Sequence, residues 1–187
     1  MQEKKQGRTH SRWLLPAALV LAGAAWFENF TLSTSTVTAA SAALPEAFSG
    51  LRIVQISDLH GRRFDAESRY LLELVRLQSP DLIALTGDLA DEFTDFSMLP
   101  PLLDGLTALA PTFYVTGNHE WVLSREKREA LFSMLDAAGV VRLQNEYRLL
   151  KKGQASIVLA GVDDPNGPYD QKRPAQLVRE IRQSRGR

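Results

Sequence analysis

Three short apolar runs, each followed at once by a polar string, recur about thirty residues apart along the chain. The runs are residues 51–56, 82–85 and 113–115, and the strings are Asp58-Leu59-His60, Gly87-Asp88 and Gly117-Asn118-His119-Glu120. Short runs rich in Val, Ile and Leu that end at Gly or Asp are typical of buried strands. The pattern predicts three core strands, each with a polar loop at its carboxyl end.

The segment between the first two runs predicts how those strands are arranged. Residues 66–79 place apolar side chains at a three-four spacing, and Pro80 ends the segment, which indicates a helix. A helix between two strands implies a parallel pair, and the loops at the carboxyl ends of such strands meet at one crevice. The topology therefore gathers the candidate side chains of the three loops, which are Asp58, His60, Asp88, Asn118 and His119.

The residue types in these loops suit a hard or borderline divalent cation. Asp and Asn supply oxygens and His supplies nitrogen, while the chain has no cysteine to build a thiolate site. We expect Mn²⁺, with Fe²⁺, Zn²⁺ and Mg²⁺ as alternatives. A carboxylate can bridge two ions about 3.5–4 Å apart, and such a pair activates water and neutralises phosphoryl oxygens. Asp88 is the candidate bridge.

In this order, each after a strand, the three strings resemble the D-x-H, G-D and G-N-H-[ED] pattern of the calcineurin-like metallophosphoesterases. The resemblance implies an α/β fold of layered β-sheets flanked by helices, and two divalent metal ions. It implies that Asp58 and His60 bind the first metal, that Asp88 bridges, and that Asn118 binds the second. His119 would be the catalytic acid, which contacts substrate oxygen or the leaving group instead of a metal.

Three weaker candidates surround these residues. Glu120 and Asp91 are expected to support the metal ligands, and Arg62 follows the first loop, where a guanidinium could hold a substrate phosphate. For Asp91 the competing interpretation is a solvated acidic loop, and for Arg62 it is surface charge.

A narrower resemblance is to the membrane-anchored branch of the family. It rests on residues 50–60, which resemble the first strand of that branch, and on Gly161-Val162-Asp163-Asp164-Pro165, which resembles a later strand-end motif. Some relatives there hydrolyse UDP-2,3-diacylglucosamine, which implies a phosphorylated small molecule or lipid as substrate. Asp163 and Asp164 precede Pro165-Asn166-Gly167-Pro168, so we interpret them first as turn formers.

The chain also departs from the family pattern. The pattern includes a further lone histidine and a G-H-x-H string, whereas this chain has three histidines, His10, His60 and His119. We therefore expect a fold that is incomplete at its C-terminus and a weakened second metal site. The main hypothesis is hydrolysis of a phosphoester or pyrophosphate bond by a metal-activated hydroxide. The alternative is a weak or inactive truncated remnant that binds at most one ion.

At single positions, purely structural interpretations compete with the metal-site interpretation. A lone strand-end Asp is often a turn or cap residue, a lone His is often a structural hydrogen-bonding group, and Asn118 after Gly117 could fill a turn that needs positive φ. The ordered set of strings favours the metal site. A nucleotide-binding module without chemistry lacks support, because the chain contains no Gly-rich phosphate loop.

We divide the chain into an anchor or signal segment at residues 1–30, a linker at 31–49, and a partial metallophosphoesterase domain at 50–187. Four basic residues precede an uncharged apolar run at residues 13–27. The run is shorter than the roughly 20 residues of a full span, so an anchor competes with a signal peptide cleaved near Ala40-Ser41-Ala42. The positive flank places the domain on the extracytoplasmic side of the cell membrane. The linker is expected to be an edge strand or an extended spacer.

The overall net charge is zero, but the charge is unevenly distributed, and the middle of the chain is acidic. Basic ends leave residues 13–171 with a net charge of −8, which suits cation capture and argues against nucleic acid as a partner. Further on, the pattern predicts helices at 124–138 and 174–185 and strands at 140–143, 147–150 and 156–160, with a hairpin turn at 151–154.

Overall fold

The computed structural model describes residues 14–20, 23, 32–65, 67–167 and 171–185. The chain divides into two compact units, Met1–Val37 and Thr38–Arg187. In the first unit, residues 14–20 are helical, and within the described ranges no helix is long and apolar enough to cross a membrane. Residues 1–13, 21, 22 and 24–30 of the predicted segment 1–30 lie outside the described residues, so the role of the segment stays a prediction. Residues 32–40 form neither strand nor helix, and the role of residues 31–49 as a linker stays a prediction.

Four parallel strands build the sheet of the second unit, in the order β1 (Ile53–Ile56), β2 (Leu82–Thr86), β3 (Thr112–Val115) and β4 (Val141–Arg142). The predicted parallel pairing is confirmed. Ile56 lies opposite Leu85, which lies opposite Tyr114. The loops that follow these residues therefore leave the sheet side by side at its carboxyl edge.

The helices are α1 (Arg69–Leu77), α2 (Leu99–Leu109), α3 (Asn118–Val122), α4 (Arg125–Ala137) and α5 (Pro174–Arg185). Short 3₁₀ turns occupy Glu46–Phe48 and Phe96–Met98. α4 begins as predicted, with the Ser124 hydroxyl accepting a hydrogen bond from the Lys127 N–H at 3.3 Å. α2 was not predicted, because two consecutive prolines are typical of a loop. Pro100 and Pro101 lie in the first turn of α2, where the helix does not use the backbone N–H groups that proline lacks.

The sheet has two covered faces. Ile83 and Leu85 are buried on one, in a core that also contains the α2 side chains Leu102 and Leu106. On the other face, Leu82 packs with Phe113 and Leu143, and Leu150 and Leu159 lie against them. These last two belong to an antiparallel hairpin of β5 (Glu146–Lys152) and β6 (Ala155–Gly161). The predicted layered α/β fold with flanking helices is confirmed.

Candidate metal centre

The loops that carry the predicted ligands have an unusual backbone. Asp58, His60 and Asp88 have φ of 56°, 47° and 53°, in the left-handed region that side chains with a Cβ rarely adopt. Two hydrogen bonds hold the first loop on the second: Asp58 N–H donates to the Gly87 carbonyl at 3.2 Å, and His60 N–H donates to the Asp88 carbonyl at 2.8 Å. Conformations of this kind cluster at functional sites, where surrounding contacts maintain them.

Three side chains converge at this edge of the sheet. Donor atoms of His60, Asp88 and His119 all lie within 4.8 Å of one another. The two imidazole rings meet edge to face, with centroids 4.5 Å apart, and Asp88 is buried at 8% exposure. A buried carboxylate is costly unless it is paired or binds a metal, and two imidazoles with one carboxylate suit a borderline divalent cation. The group fits a metal ion.

Asp58 and Asn118 lie beside this group. The Asp58 side chain is 66% exposed, and its Oδ1 is 4.0 Å from His60 Nε2. Asn118 is the first residue of α3. Both line an open cleft of about 660 Å³, together with Asp88. The structure thus places all five predicted residues at one edge of the sheet, with Asp88 common to the three-residue group and the cleft.

Glu120 ties two of the loops together. Its side chain is completely buried, and its carboxylate accepts hydrogen bonds from the N–H groups of Asp88 at 2.9 Å, Leu89 at 2.8 Å and Gly117 at 2.8 Å. The carboxylate therefore holds the loop after β2 against the loop after β3. Glu120 acts on the backbone of the candidate ligands, not on their side chains.

A buried phenol lies close to this carboxylate. Tyr114 is 2% exposed, and burial, followed by the negative charges of Glu120 and Asp163, raises its pKa well above the ordinary value. The phenol stays protonated at neutral pH. The carboxylates around the centre therefore create a negative electrostatic potential, which favours binding of a cation.

The other two weaker candidates differ in position. Asp91 Oδ2 lies 3.8 Å from His60 Nδ1, beside the imidazole but beyond hydrogen-bond distance, so its supporting role stays a prediction. Burial alone would raise the pKa of Asp91, but hydrogen bonds from Thr94 and Phe93 and the nearby His60 outweigh burial and lower it. Arg62 is exposed and does not line the cleft.

Two glycines allow the loops to approach each other. A Cβ on Gly87 would lie 2.2 Å from the Gly117 nitrogen, and a Cβ on Gly117 would lie 2.3 Å from Asp88 Oδ1. Asn118 begins α3 and is not among the residues with positive φ, so the interpretation of Asn118 as filling a turn that needs positive φ is wrong. Gly117 has φ of −98°, so it is not required for positive φ either. The glycine is required by close packing against the Asp88 carboxylate, whose Oδ1 also accepts a hydrogen bond from the His119 N–H at 2.9 Å.

Asp163 has a larger role than the turn former expected from its sequence. It is 6% exposed, and its Oδ1 accepts a hydrogen bond from the Thr116 N–H at 3.1 Å. Its own N–H donates to Asn145 Oδ1 at 3.2 Å. The sequence contained a signal for this larger role of Asp163, since Asp163 follows an apolar strand as Asp58 and Asp88 do.

Comparisons with known proteins identify the family of this chain. The pattern of the family described as calcineurin-like phosphoesterase matches residues 51–180. The uncharacterized metallophosphoesterase YkoQ of Bacillus subtilis is 33% identical over 117 residues, which cover 61% of this chain and 43% of YkoQ. Phosphodiesterase YaeI of Escherichia coli is 33% identical over 118 residues, which cover 60% of this chain and 43% of YaeI.

A third relative carries a membrane description. The transmembrane protein with metallophosphoesterase domain of Danio rerio is 30% identical over 132 residues, 65% of this chain and 29% of that protein. The chain thus spans less than half of the length of each of these relatives. A solved structure, the phosphopantetheinyl hydrolase PptH of Mycobacterium tuberculosis, aligns with a TM-score of 0.42 and 21% identity over 72% of this chain and 51% of PptH. By its sequence match, and with the predicted strings at the sheet edge, this chain belongs to the calcineurin-like phosphoesterase family.

Proposed function

We propose that this chain carries a metal-dependent phosphoesterase centre that hydrolyses a phosphoester or pyrophosphate bond. The observation that carries the proposal is the convergence of His60, Asp88 and His119, whose donor atoms lie within 4.8 Å of one another at the carboxyl edge of the sheet. Family membership supports the reaction class.

The residues divide into two candidate ligand sets that share Asp88. Asp58, His60 and Asp88 would hold the first ion, and Asp88 with Asn118 would hold a second. We favour Mn²⁺ over Fe²⁺, Zn²⁺ and Mg²⁺. When bound, such an ion polarises a phosphoryl oxygen and lowers the pKa of water in its coordination shell. Glu120 keeps the two loops in register through its three backbone hydrogen bonds.

His119 is assigned the role of catalytic acid. Its backbone N–H is fixed by Asp88 Oδ1 at 2.9 Å, and its ring edge contacts His60. The imidazole is only partly buried, so it can reach a substrate and exchange a proton with solvent. In this role it donates a proton to the leaving-group oxygen, and an imidazole is the side chain that most often does this in enzymes.

The substrate and location form a further part of the proposal. A lipid-linked phosphate would suit a domain held at the cell membrane by residues 1–30, with the catalytic unit on the extracytoplasmic side. The basic flank of the apolar run and the transmembrane relative from Danio rerio support this location. Export after signal cleavage is the alternative.

A weaker centre with one ion is the second candidate function. Among the His, Asp and Glu side chains of the described ranges, one group of three satisfies the geometry for a metal ion. That observation favours a single ion held by His60, Asp88 and His119, so in this alternative His119 is a ligand and not the catalytic acid. Such a protein would bind metal yet turn over phosphoesters slowly or not at all.

Hydrolysis of bis(p-nitrophenyl) phosphate with and without Mn²⁺ tests the proposal. We expect Mn²⁺-dependent turnover that is abolished by Asp88→Asn and by His119→Ala. Asp104→Asn is the matched control, because Asp104 is an exposed carboxylate on α2, away from the centre. Turnover that survives Asp88→Asn would contradict the proposal. Metal binding without turnover would favour the one-ion alternative.

A further inference from the structure

The cleft beside Asp88 has one basic wall. Lys172 and Arg173, which lie directly before α5, line it together with Asp58, Asp88 and Asn118. Asp163 and Asp164 also line the cleft, so it contains four carboxylates and two cationic side chains. A second anionic group on a substrate would be repelled by these carboxylates unless a cation received it.

The two basic side chains differ in how far they are already paired. Lys172 Nζ forms an ion pair with Glu180 Oε2 at 2.6 Å. Arg173 is exposed and lines the cleft, and it forms no ion pair with a carboxylate in the part of the chain that the structure describes. The Arg173 guanidinium is therefore the cation available to a ligand.

A run of hydrogen bonds fixes this wall against the metal loops. Thr116, next to the Gly117 loop, donates its N–H to Asp163, and the Asp163 N–H donates to Asn145. Asn145 then donates from Nδ2 to Gln171 Oε1 at 2.8 Å and accepts from the Lys172 N–H at 3.5 Å. The backbone just before Arg173 is thereby tied to the end of β3.

The following helix holds the other side of Arg173. The Arg173 carbonyl accepts hydrogen bonds from the N–H groups of Gln176 and Leu177, and Leu177 and Ile181 are buried. Pro174 restricts the backbone of the residue before it to extended conformations. Arg173 is thus presented from a fixed backbone position and not from a free loop.

We propose that Arg173 binds a second anionic group of the substrate, the one carried by the departing portion next to the bond that is hydrolysed. This inference rests on the proposed function, because it assigns the reacting phosphoryl group to the Asp88 centre. A guanidinium presents parallel N–H donors that match two phosphate oxygens, which a lysine cannot do. The centre therefore selects substrates whose leaving group carries a phosphate or carboxylate over those with a neutral leaving group.

Calorimetric binding of pyrophosphate and of inorganic phosphate, at fixed excess Mn²⁺, tests this inference. We expect Arg173→Gln to weaken pyrophosphate binding about tenfold and phosphate binding less than about threefold, and Arg173→Lys to restore part of the loss. Arg179→Gln, an exposed arginine of α5 outside the cleft lining, is the control and should match the unaltered chain. Chelation of Mn²⁺ by pyrophosphate is the same for every variant and cancels from the comparison.

Equal weakening of both anions by Arg173→Gln, or the same loss in Arg179→Gln, would overturn the inference. Hydrolysis of bis(p-nitrophenyl) phosphate separates it from the proposed function, since that ester has no second anionic group. Lack of turnover by the unaltered chain, with Arg173-dependent selectivity for pyrophosphate preserved, would defeat the hydrolytic proposal and support the anion site. Turnover with no Arg173-dependent selectivity would defeat the anion site alone.

Discussion

Replacement of Glu120 by glutamine changes one atom in the connection between the two metal loops. The Glu120 carboxylate is fully buried and accepts three backbone N–H groups, two at Oε2 from Asp88 and Gly117 and one at Oε1 from Leu89. A glutamine oxygen can still accept two of them. Its NH₂ group would then face the third N–H, so one buried donor, that of Leu89, would lose its acceptor.

The expected loss of stability follows from these three contacts. An unsatisfied buried donor costs about 1–3 kcal/mol, and the two surviving hydrogen bonds lose the extra strength that an ionised acceptor gives. We therefore expect Glu120→Gln to lower the free energy of unfolding by about 2–4 kcal/mol. Because the Asp88 backbone shifts, we also expect Mn²⁺ affinity to fall about 10–100-fold.

Urea unfolding followed by circular dichroism measures the first effect, and calorimetric titration with Mn²⁺ measures the second. Glu126→Gln is the matched control, since Glu126 is an exposed glutamate in the first turn of α4. A change below about 0.5 kcal/mol in Glu120→Gln, which is typical of surface substitutions, would refute the assignment of Glu120 as the connection between the loops.

Three further predictions concern the centre and its surroundings. Gly117→Ala places a Cβ 2.3 Å from Asp88 Oδ1, so it should weaken Mn²⁺ binding more than about tenfold in a calorimetric titration, and unchanged affinity would contradict the close packing. His119→Ala should remove turnover yet leave Mn²⁺ affinity within about threefold if the residue is the acid, whereas a large loss of affinity would make it a ligand. Hydrogen bonds, first from the Tyr70 N–H, lower the pKa of Asp65 in the folded chain below its ordinary 3.8. Its contribution to the free energy of unfolding is therefore present above about pH 4 and lost as the pH falls further. Asp65→Asn should make the decline of that free energy between about pH 4 and pH 2 less steep in urea titrations. An unchanged slope would refute the hydrogen bonds.

The strands and the centre were open to prediction because both depend on short-range patterns. The apolar runs of β1, β2 and β3 are continuous, and their polar strings follow at once, so parallel pairing was enough to place Asp58, Asp88 and Asn118 at one edge. The predicted family and the α/β fold were confirmed on that basis. The ligand and acid roles of the individual residues stay proposals.

Other features depend on contacts between distant residues, which the local pattern does not encode. α2 escaped prediction because its Pro-Pro start resembles a loop, although Leu102 and Leu106 are buried in the core. The hydrogen bonds from the Thr116 N–H to Asp163 Oδ1 and from the Asp163 N–H to Asn145 Oδ1 join residues 47 and 18 positions apart. Only the packed fold brings these side chains together, and the role proposed for Arg173 follows from them.

Calorimetric titration of the chain with Mn²⁺, in parallel with its Asp88→Asn and Asp104→Asn variants, tests the central claim most directly. The account predicts saturable binding to the unaltered chain and to Asp104→Asn, and loss of binding in Asp88→Asn, because Asp88 is the buried carboxylate shared by both candidate ligand sets. Equal binding to all three proteins, or no binding to the unaltered chain, would contradict a metal centre at this edge of the sheet.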